Sequence, residues 1–245
     1  DYAIQVTVPV GATSGGITLT DGSTGCAGVS PLFSIKEVCG VSVNLKVWLQ
    51  GYCLPTPFGG SMMPVWTQQM RSDLGNGNPG SPAGTETDLV YVGLYDDNHV
   101  LQFEDSVMIM TDGTGRIDLP AAFNGNSYYL LIKHRSHVAI RSAGLVLMSP
   151  VVTYDFTLSE SQADNNGSNF GMTQLSNGKW AMWVGDVTQD GFVGGDDVGS
   201  VDNDNLLGIY LEYRNSDVTG DGFVGGDDVG AVDNNNLLGV YYFYP

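Results

Sequence analysis

Positive charge is scarce in this chain: 9 Lys and Arg stand against 27 Asp and Glu, a net charge of −18 over 245 residues. A surface so acidic repels phosphate backbones, so nucleic acid is not expected as a partner. Histidine and cysteine number only 3 each, and no Cys/His cluster has the spacing of a zinc site. No apolar run approaches the roughly eighteen residues of a membrane-spanning helix, so no membrane span is expected. Patterns of catalysis are missing too: no Ser sits in a GxSxG elbow, and no Gly-rich phosphate loop follows a strand. Glu104-Asp105 has no base beside it and reads as a solvated strand edge. His99 stands alone in a turn, and His134 and His137, three apart on a strand, should face opposite ways rather than form a metal pair. The chain is not expected to be an enzyme.

What is plentiful is glycine, 34 residues, together with Val, Thr and Tyr, a composition that favours strands joined by tight turns. Residues 3–10 and 15–20 read as strands of an N-terminal arm spanning 1–42. From Val43 the apolar side of a strand runs through Val43, Leu45, Val47 and Leu49, with Trp48 opposite. A Gly-, Pro- and Ser-rich stretch at 72–87 reads as a long surface loop. Further strands are expected at 89–95, 100–103, 107–110, 116–119, 128–133, 138–141, 145–148 and 152–156. Short strands so closely spaced predict a mainly β fold, an antiparallel β-sandwich of immunoglobulin-like or jelly-roll-like type over 43–157. A polar connection and a tether strand, Lys179 to Val184, fill 158–184 and lead into a last unit at 185–245. Trp48, Trp66, Trp180 and Trp183 are expected in core or interface packing rather than as a sugar-stacking platform.

That last unit holds a duplication. Residues 186–210 and 217–241 align with a shift of 31 and differ only at Gln189/Gly220, Ser200/Ala231, Asp204/Asn235 and Ile209/Val240. Each copy opens as a twelve-residue calcium loop, in which oxygen-bearing residues alternate with spacers. Asp186, Thr188 and Asp190, and in the second copy Asp217, Thr219 and Asp221, occupy positions 1, 3 and 5. Gly191 and Gly222 fill the turn at position 6. Phe192 and Phe223 offer position-7 carbonyls while their rings are expected to pack inward. Asp197 and Asp228 stand at position 12, and Gly194 and Gly225 at position 9 leave a slot for water. Two Ca2+ ions, one per repeat, are expected. The segments after the loops carry Gly and Asn, weak helix formers, and predict helices of one or two turns, with Asp202 and Asp233 as caps rather than extra ligands. Residues 186–245 hold twelve carboxylates and one base, so without metal the unit should repel itself.

An Asp at position 12, a short apolar segment after it and tandem duplication resemble the dockerin-type calcium repeat. Residues 43–245 as a whole are similar to a C-terminal module of secreted bacterial surface proteins, through Tyr128-Tyr-Leu-Leu-Ile-Lys-His-Arg135, Tyr154-Asp-Phe156 and the two loops. The resemblance implies an extracellular, calcium-stabilised, non-catalytic module at the cell surface. Gly195-Asp196 and Gly226-Asp227 depart from the pair with which cellulosomal dockerins contact cohesin, which argues against that partner. The expected function is a structural subunit of an extracellular fibre or surface matrix. Its expected partner is itself, head to tail, through strand addition at residues 3–10 or docking of the aromatic tail 241–245. The alternative is a cell-surface adhesion, carbohydrate-binding or dockerin-like module normally attached to an enzyme, with surface glycans as partner.

The first residue is Asp rather than Met, which fits removal of an export signal. Cys26, Cys39 and Cys53 allow one disulfide, with Cys26–Cys39 slightly preferred. Asn166-Gly-Ser168 and Asp105-Ser106-Val107 are glycosylation signals, N-linked at Asn166 and O-linked at Ser106.

Overall fold

The computed structural model describes residues 18–20, 27–29, 40–53, 62, 85–165 and 171–242. Two compact units divide the chain, Asp1–Cys39 and Gly40–Pro245. In the first, β1 (Thr18–Thr20) pairs antiparallel with β2 (Ala27–Val29). The strand expected at 3–10, the Cys26–Cys39 pair, Trp66, Asn166 and the last three residues lie outside the described residues.

The second unit is built on two sheets. One is three-stranded, with β3 (Val41–Lys46) between β6 (Thr114–Leu119) and β10 (Val151–Asp155). The other has the order β5 (Leu101–Met110), β4 (Glu86–Tyr95), β7 (Ser127–His134), β8 (His137–Arg141), with β9 (Val146–Leu147) also on β7. Alternate residues point between the sheets: Val41, Val43 and Leu45 of β3, Val90, Val92 and Leu94 of β4, and Leu130 and Ile132 of β7 belong to one buried cluster. That inward alternation makes the fold a β-sandwich, mainly β as its composition predicts.

Several details differ from expectation. The sandwich is not wholly antiparallel, because β10 runs parallel to β3, Val152 opposite Val43. The runs 100–103 and 107–110 are one strand: Glu104, Asp105 and Ser106 stay exposed on the sheet's edge strand while Val107 and Ile109 turn inward. Trp48 is buried rather than opposite the core, since β3 ends at Lys46 and the pleat is lost; its indole N–H donates to the Asp112 carbonyl at 3.2 Å. The tether is strand only at β12 (Trp180–Ala181), which pairs with β11 (Thr173–Gln174). Isolated bridges Leu49↔Met182 and His137↔Val184 then stitch it to the sandwich.

After each loop comes a helix of 13 residues, α1 (Gly195–Leu207) and α2 (Gly226–Leu238), far longer than one or two turns. Tertiary contact overrides weak propensity here. Asp197 and Asp228 accept the backbone N–H of Gly194 and Gly225, each at 2.8 Å, capping the first turn, and Gly208 and Gly239 close the last in the left-handed region, φ 65° and 66°. Val201 and Val232 enter a second buried cluster with Val187, Val218 and Val138 of β8. Asp202 and Asp233 lie exposed inside the helices and cap neither.

Candidate metal centre

The 31-residue duplication folds into a reciprocal pair. Val193 of loop 1 donates its N–H to the Val240 carbonyl beyond α2, and Val224 of loop 2 donates to Ile209 beyond α1, at 2.9 and 3.0 Å. Each loop is thus braced by the segment that follows the other repeat's helix. Tyr241 forms a bridge with Phe192, and buried Tyr242 donates its N–H to Gly191, so the described part of the aromatic tail packs on loop 1. The Phe192 and Phe223 rings do not pack inward: they are 37% and 49% exposed, because the cross-bridge turns position 7 outward over Gly194 and Gly225.

Within loop 2, one oxygen each from Asp217, Asp221 and Asp228 lies within 4.8 Å of the others. Backbone N–H groups aim these carboxylates. Asp217 accepts from Gly220 and Gly222 at 2.8 and 3.0 Å, Asp221 from Phe223 at 2.9 Å, and Asp228 from Val218, Thr219 and Gly225 at 2.8 to 2.9 Å. The Thr219 hydroxyl donates to Asp228 at 3.1 Å. In loop 1, Asp186 accepts from Gly191 at 3.2 Å, Asp190 from Phe192 at 2.9 Å, and Asp197 from Thr188 and Gly194 at 2.9 and 2.8 Å. The second oxygen of Asp186, Oδ1, is buried without a hydrogen-bond partner. Thr188 and Asp190 are exposed, whereas Thr219 is buried and Asp221 half-buried.

These carboxylates are held against their own chemistry. Burial, reinforced by Asp197, pushes Asp186 up to about 7. Burial also drives Asp217 up to about 7, against the pull of Arg135, and Asp228 up to about 6. Asp197 and Asp221 are raised by burial too. A buried group of like charges without a matching base costs free energy unless protons or a cation neutralise it. The donors are all hard oxygens, the orphaned Asp186 oxygen among them, so the set fits a hard divalent cation such as Ca2+ and not a soft metal. Asp217, Asp221 and Asp228 converge closely enough to hold one ion, whereas Asp186, Asp190 and Asp197, their counterparts in loop 1, do not gather within the same distance. Thr188, Thr219 and the carbonyls of Phe192 and Phe223 occupy the loop positions between them.

Beside loop 2 lies a buried polar cluster that the sequence did not reveal. Asp88 of β4 accepts from Tyr52, from Arg135 Nε and His134 Nε2 at 3.0 Å each, and from Tyr213 at 2.6 Å. Burial would raise its carboxyl, but Arg135 and His134 together hold it well below the usual carboxylate range. The Arg135 guanidinium stacks 4.4 Å over the Tyr213 ring and donates to the Arg214 carbonyl, both between the two repeats. His134 and His137 do meet, Nδ1 to Nδ1 at 2.9 Å, contrary to the expectation of opposite faces. They are register partners flanking the tight β7–β8 turn rather than neighbours along one strand. Burial lowers both imidazoles, and the Gly51 N–H donates to His137 Nε2 at 3.1 Å, which leaves His137 Nδ1 to share the hydrogen bond with His134. Ser136, His134 and Asp88 form a hydroxyl–imidazole–carboxylate row, yet none is more than 2% exposed, so no substrate reaches it.

The other candidates settle simply. Trp180 and Trp183 are half-buried against the two cores. His99 stacks on Tyr129 at 5.5 Å. Cys53 is a free, half-buried thiol that burial pushes up to about 12. Ser106 is exposed on β5. Among the described residues no helix is long and apolar enough to cross a membrane.

No family model and no curated protein matches the chain. Among solved structures, a chain from an interface mutant of the type II cohesin–X–dockerin complex of Acetivibrio cellulolyticus is similar over 80% of this chain and 95% of its own, at 14% identity and a TM-score of 0.41. A second, described as S.CueP, is similar over 57% of this chain and 73% of its own, at 10% identity and a TM-score of 0.26. Neither likeness bears on function.

Proposed function

We propose that this chain is a non-catalytic, calcium-stabilised structural module that works outside the cell as a subunit of a fibre or surface matrix. The observation that carries the reading is loop 2, where Asp217, Asp221 and Asp228 bring one oxygen each within 4.8 Å of the others, beside a loop 1 that repeats the same residue pattern around a buried, unpartnered Asp186 oxygen. Two Ca2+ ions would neutralise four charges in a unit that carries eleven of the eighteen net negative charges, and so let it fold against the sandwich. Extracellular calcium levels suit sites of this kind.

Assembly is supported by the helix ends. Leu206, Leu207, Tyr210, Leu211, Leu237 and Leu238 are all exposed, apolar area of a kind that a solitary soluble domain seldom leaves uncovered. In this reading these side chains bind a neighbouring subunit, and calcium fixes the helices that present them. Elemental analysis of dialysed protein should find two calcium ions per chain, and light scattering should show calcium-dependent association that Leu206→Asp with Leu237→Asp abolishes. A metal-free, monomeric protein indifferent to chelator would sink the reading. The second reading, an adhesion or glycan-binding module, is favoured if the same leucines capture a glycan-bearing surface while the protein alone stays monomeric.

A further inference from the structure

The two loops share every ligand position but not their surroundings. Loop 2 is pressed against the sandwich at Gly51-Tyr52: a Cβ on Gly51 would overlap the Val218 carbonyl, and a Cβ on Gly220 would overlap the Tyr52 ring. The hydroxyl of that same Tyr52 bonds Asp88 and accepts from Arg135 at 2.6 Å, so the ring beneath loop 2 is fixed by the buried polar cluster. Among the described residues loop 1 has no such lid. Its position 4 is Gln189, exposed at φ 63°, and Thr188 and Asp190 are exposed beside it.

We propose that the two loops are unequal calcium sites: loop 2 is a tight, slowly exchanging site that clasps the tail module to the sandwich through Tyr52, and loop 1 is an open site that fills and empties with the surrounding calcium. This rests on the calcium reading given above. Asp217 and Asp228 together accept five backbone N–H bonds, whereas Asp186 and Asp197 accept three and leave one oxygen orphaned. Ligands already oriented lose less freedom when an ion arrives. The Arg135 charge, though paired with Asp88, acts on Asp217 more strongly than any other charge and opposes a cation there, so loop 2 holds its ion through the preset geometry of its ligands rather than through charge. By linkage, whatever docking adds to the ion's affinity at loop 2, the ion returns to docking.

Gly220→Gln gives loop 2 the residue that loop 1 carries. The backbone tolerates Gln in the left-handed region at this position, since Gln189 adopts it and donates to the Asp186 carbonyl. The substitution therefore probes the Tyr52 contact rather than the loop. The test uses the full chain, with calorimetric calcium titration and chelator-driven release kinetics. The expected result is two ions with affinities separated by about tenfold or more and two release phases. Gly220→Gln should weaken the tighter site by about tenfold or more while the looser one holds. In a Tyr52→Ala background the same substitution should cost far less, a coupling that a merely unstable protein would not give. Two ions of one affinity leaving in a single phase would overturn the inequality while the calcium reading stands, as would a Gly220→Gln penalty undiminished by Tyr52→Ala. No calcium uptake at all would overturn both.

Discussion

Repeat 1 and repeat 2 differ at four positions, and at each of them the second copy's residue is the more buried. Gly220 sits under the Tyr52 ring where Gln189 meets solvent. Ala231 is buried where Ser200 is exposed. Asn235 donates to the Gln50 side chain and the Val184 carbonyl, at 2.9 and 2.7 Å, where Asp204 merely accepts from Ser216. Val240 is fully buried where Ile209 is half-exposed. Identical loop positions set in unequal surroundings separate two roles that one sequence motif conflates: the proposed holding of an ion, and holding the neighbouring domain.

The largest change expected is on removing calcium. With calcium about a hundredfold above the dissociation constant of the weaker site, loss of both ions should cost at least about 5 kcal/mol, seen as a lower Tm. The metal-free protein should show an inverted pH response. Asp186 and Asp217 are raised to about 7 and Asp228 to about 6, against about 3.9 for an unfolded Asp. Between those values the folded form binds more protons at these three carboxyls, so their contribution to stability is full below about pH 4 and is lost as pH rises towards 7, while the lowered His134, His137 and Asp88 act in the opposite sense at acid pH. Above the usual titration of histidine, about 6.5, only the loop carboxyls act, so metal-free protein should melt higher at about pH 6.5 than at about pH 8, and the calcium-loaded protein should not.

Next comes the clasp. Arg135→Ala strands the buried Asp88 charge and should cost about 3–5 kcal/mol in urea unfolding, lowering the stability of sandwich and module together. A loss confined to the module would mean that loop 2 and the sandwich are not joined through this cluster.

Asn235→Asp removes two buried donors and sets a carboxylate against carbonyl oxygens, so a loss of about 2–3 kcal/mol is expected. Its mirror, Asp204→Asn, keeps an acceptor for Ser216 and should stay within about 0.5 kcal/mol. Equal effects in the two repeats would erase the distinction between them. Smallest is Ala231→Ser, which buries a hydroxyl and should cost about 1 kcal/mol, against almost nothing for Ser200→Ala.

The candidate loops were legible because such a loop is a local object: twelve consecutive residues carry their own oxygens, turn and cap. The strands were readable in kind, since alternation along β3, β4 and β7 marks the face that each buries. Their direction was not, because nothing in Val151–Asp155 itself encodes a parallel neighbour. Likewise the helices after the loops outran their propensity, as Val201 and Val232 gain a shared core that no local rule counts. His134 and His137 misled for a related reason: spacing of three means opposite faces in a strand and adjacent sides across a turn, and only the pairing chooses.

From the chain of letters alone came the mainly β sandwich, the duplication, the oxygen set at each loop and the excess of negative charge, all properties of neighbouring residues or of their sum. Which repeat is clasped and which is open, why Gly220 is not Gln, and how Asp88, Arg135, Tyr52 and Tyr213 come together were decided by the tertiary structure. Those contacts join residues as far apart as Tyr52 and Gly220, and their strength comes from burial that exists only once the sandwich and the paired repeats have closed on each other.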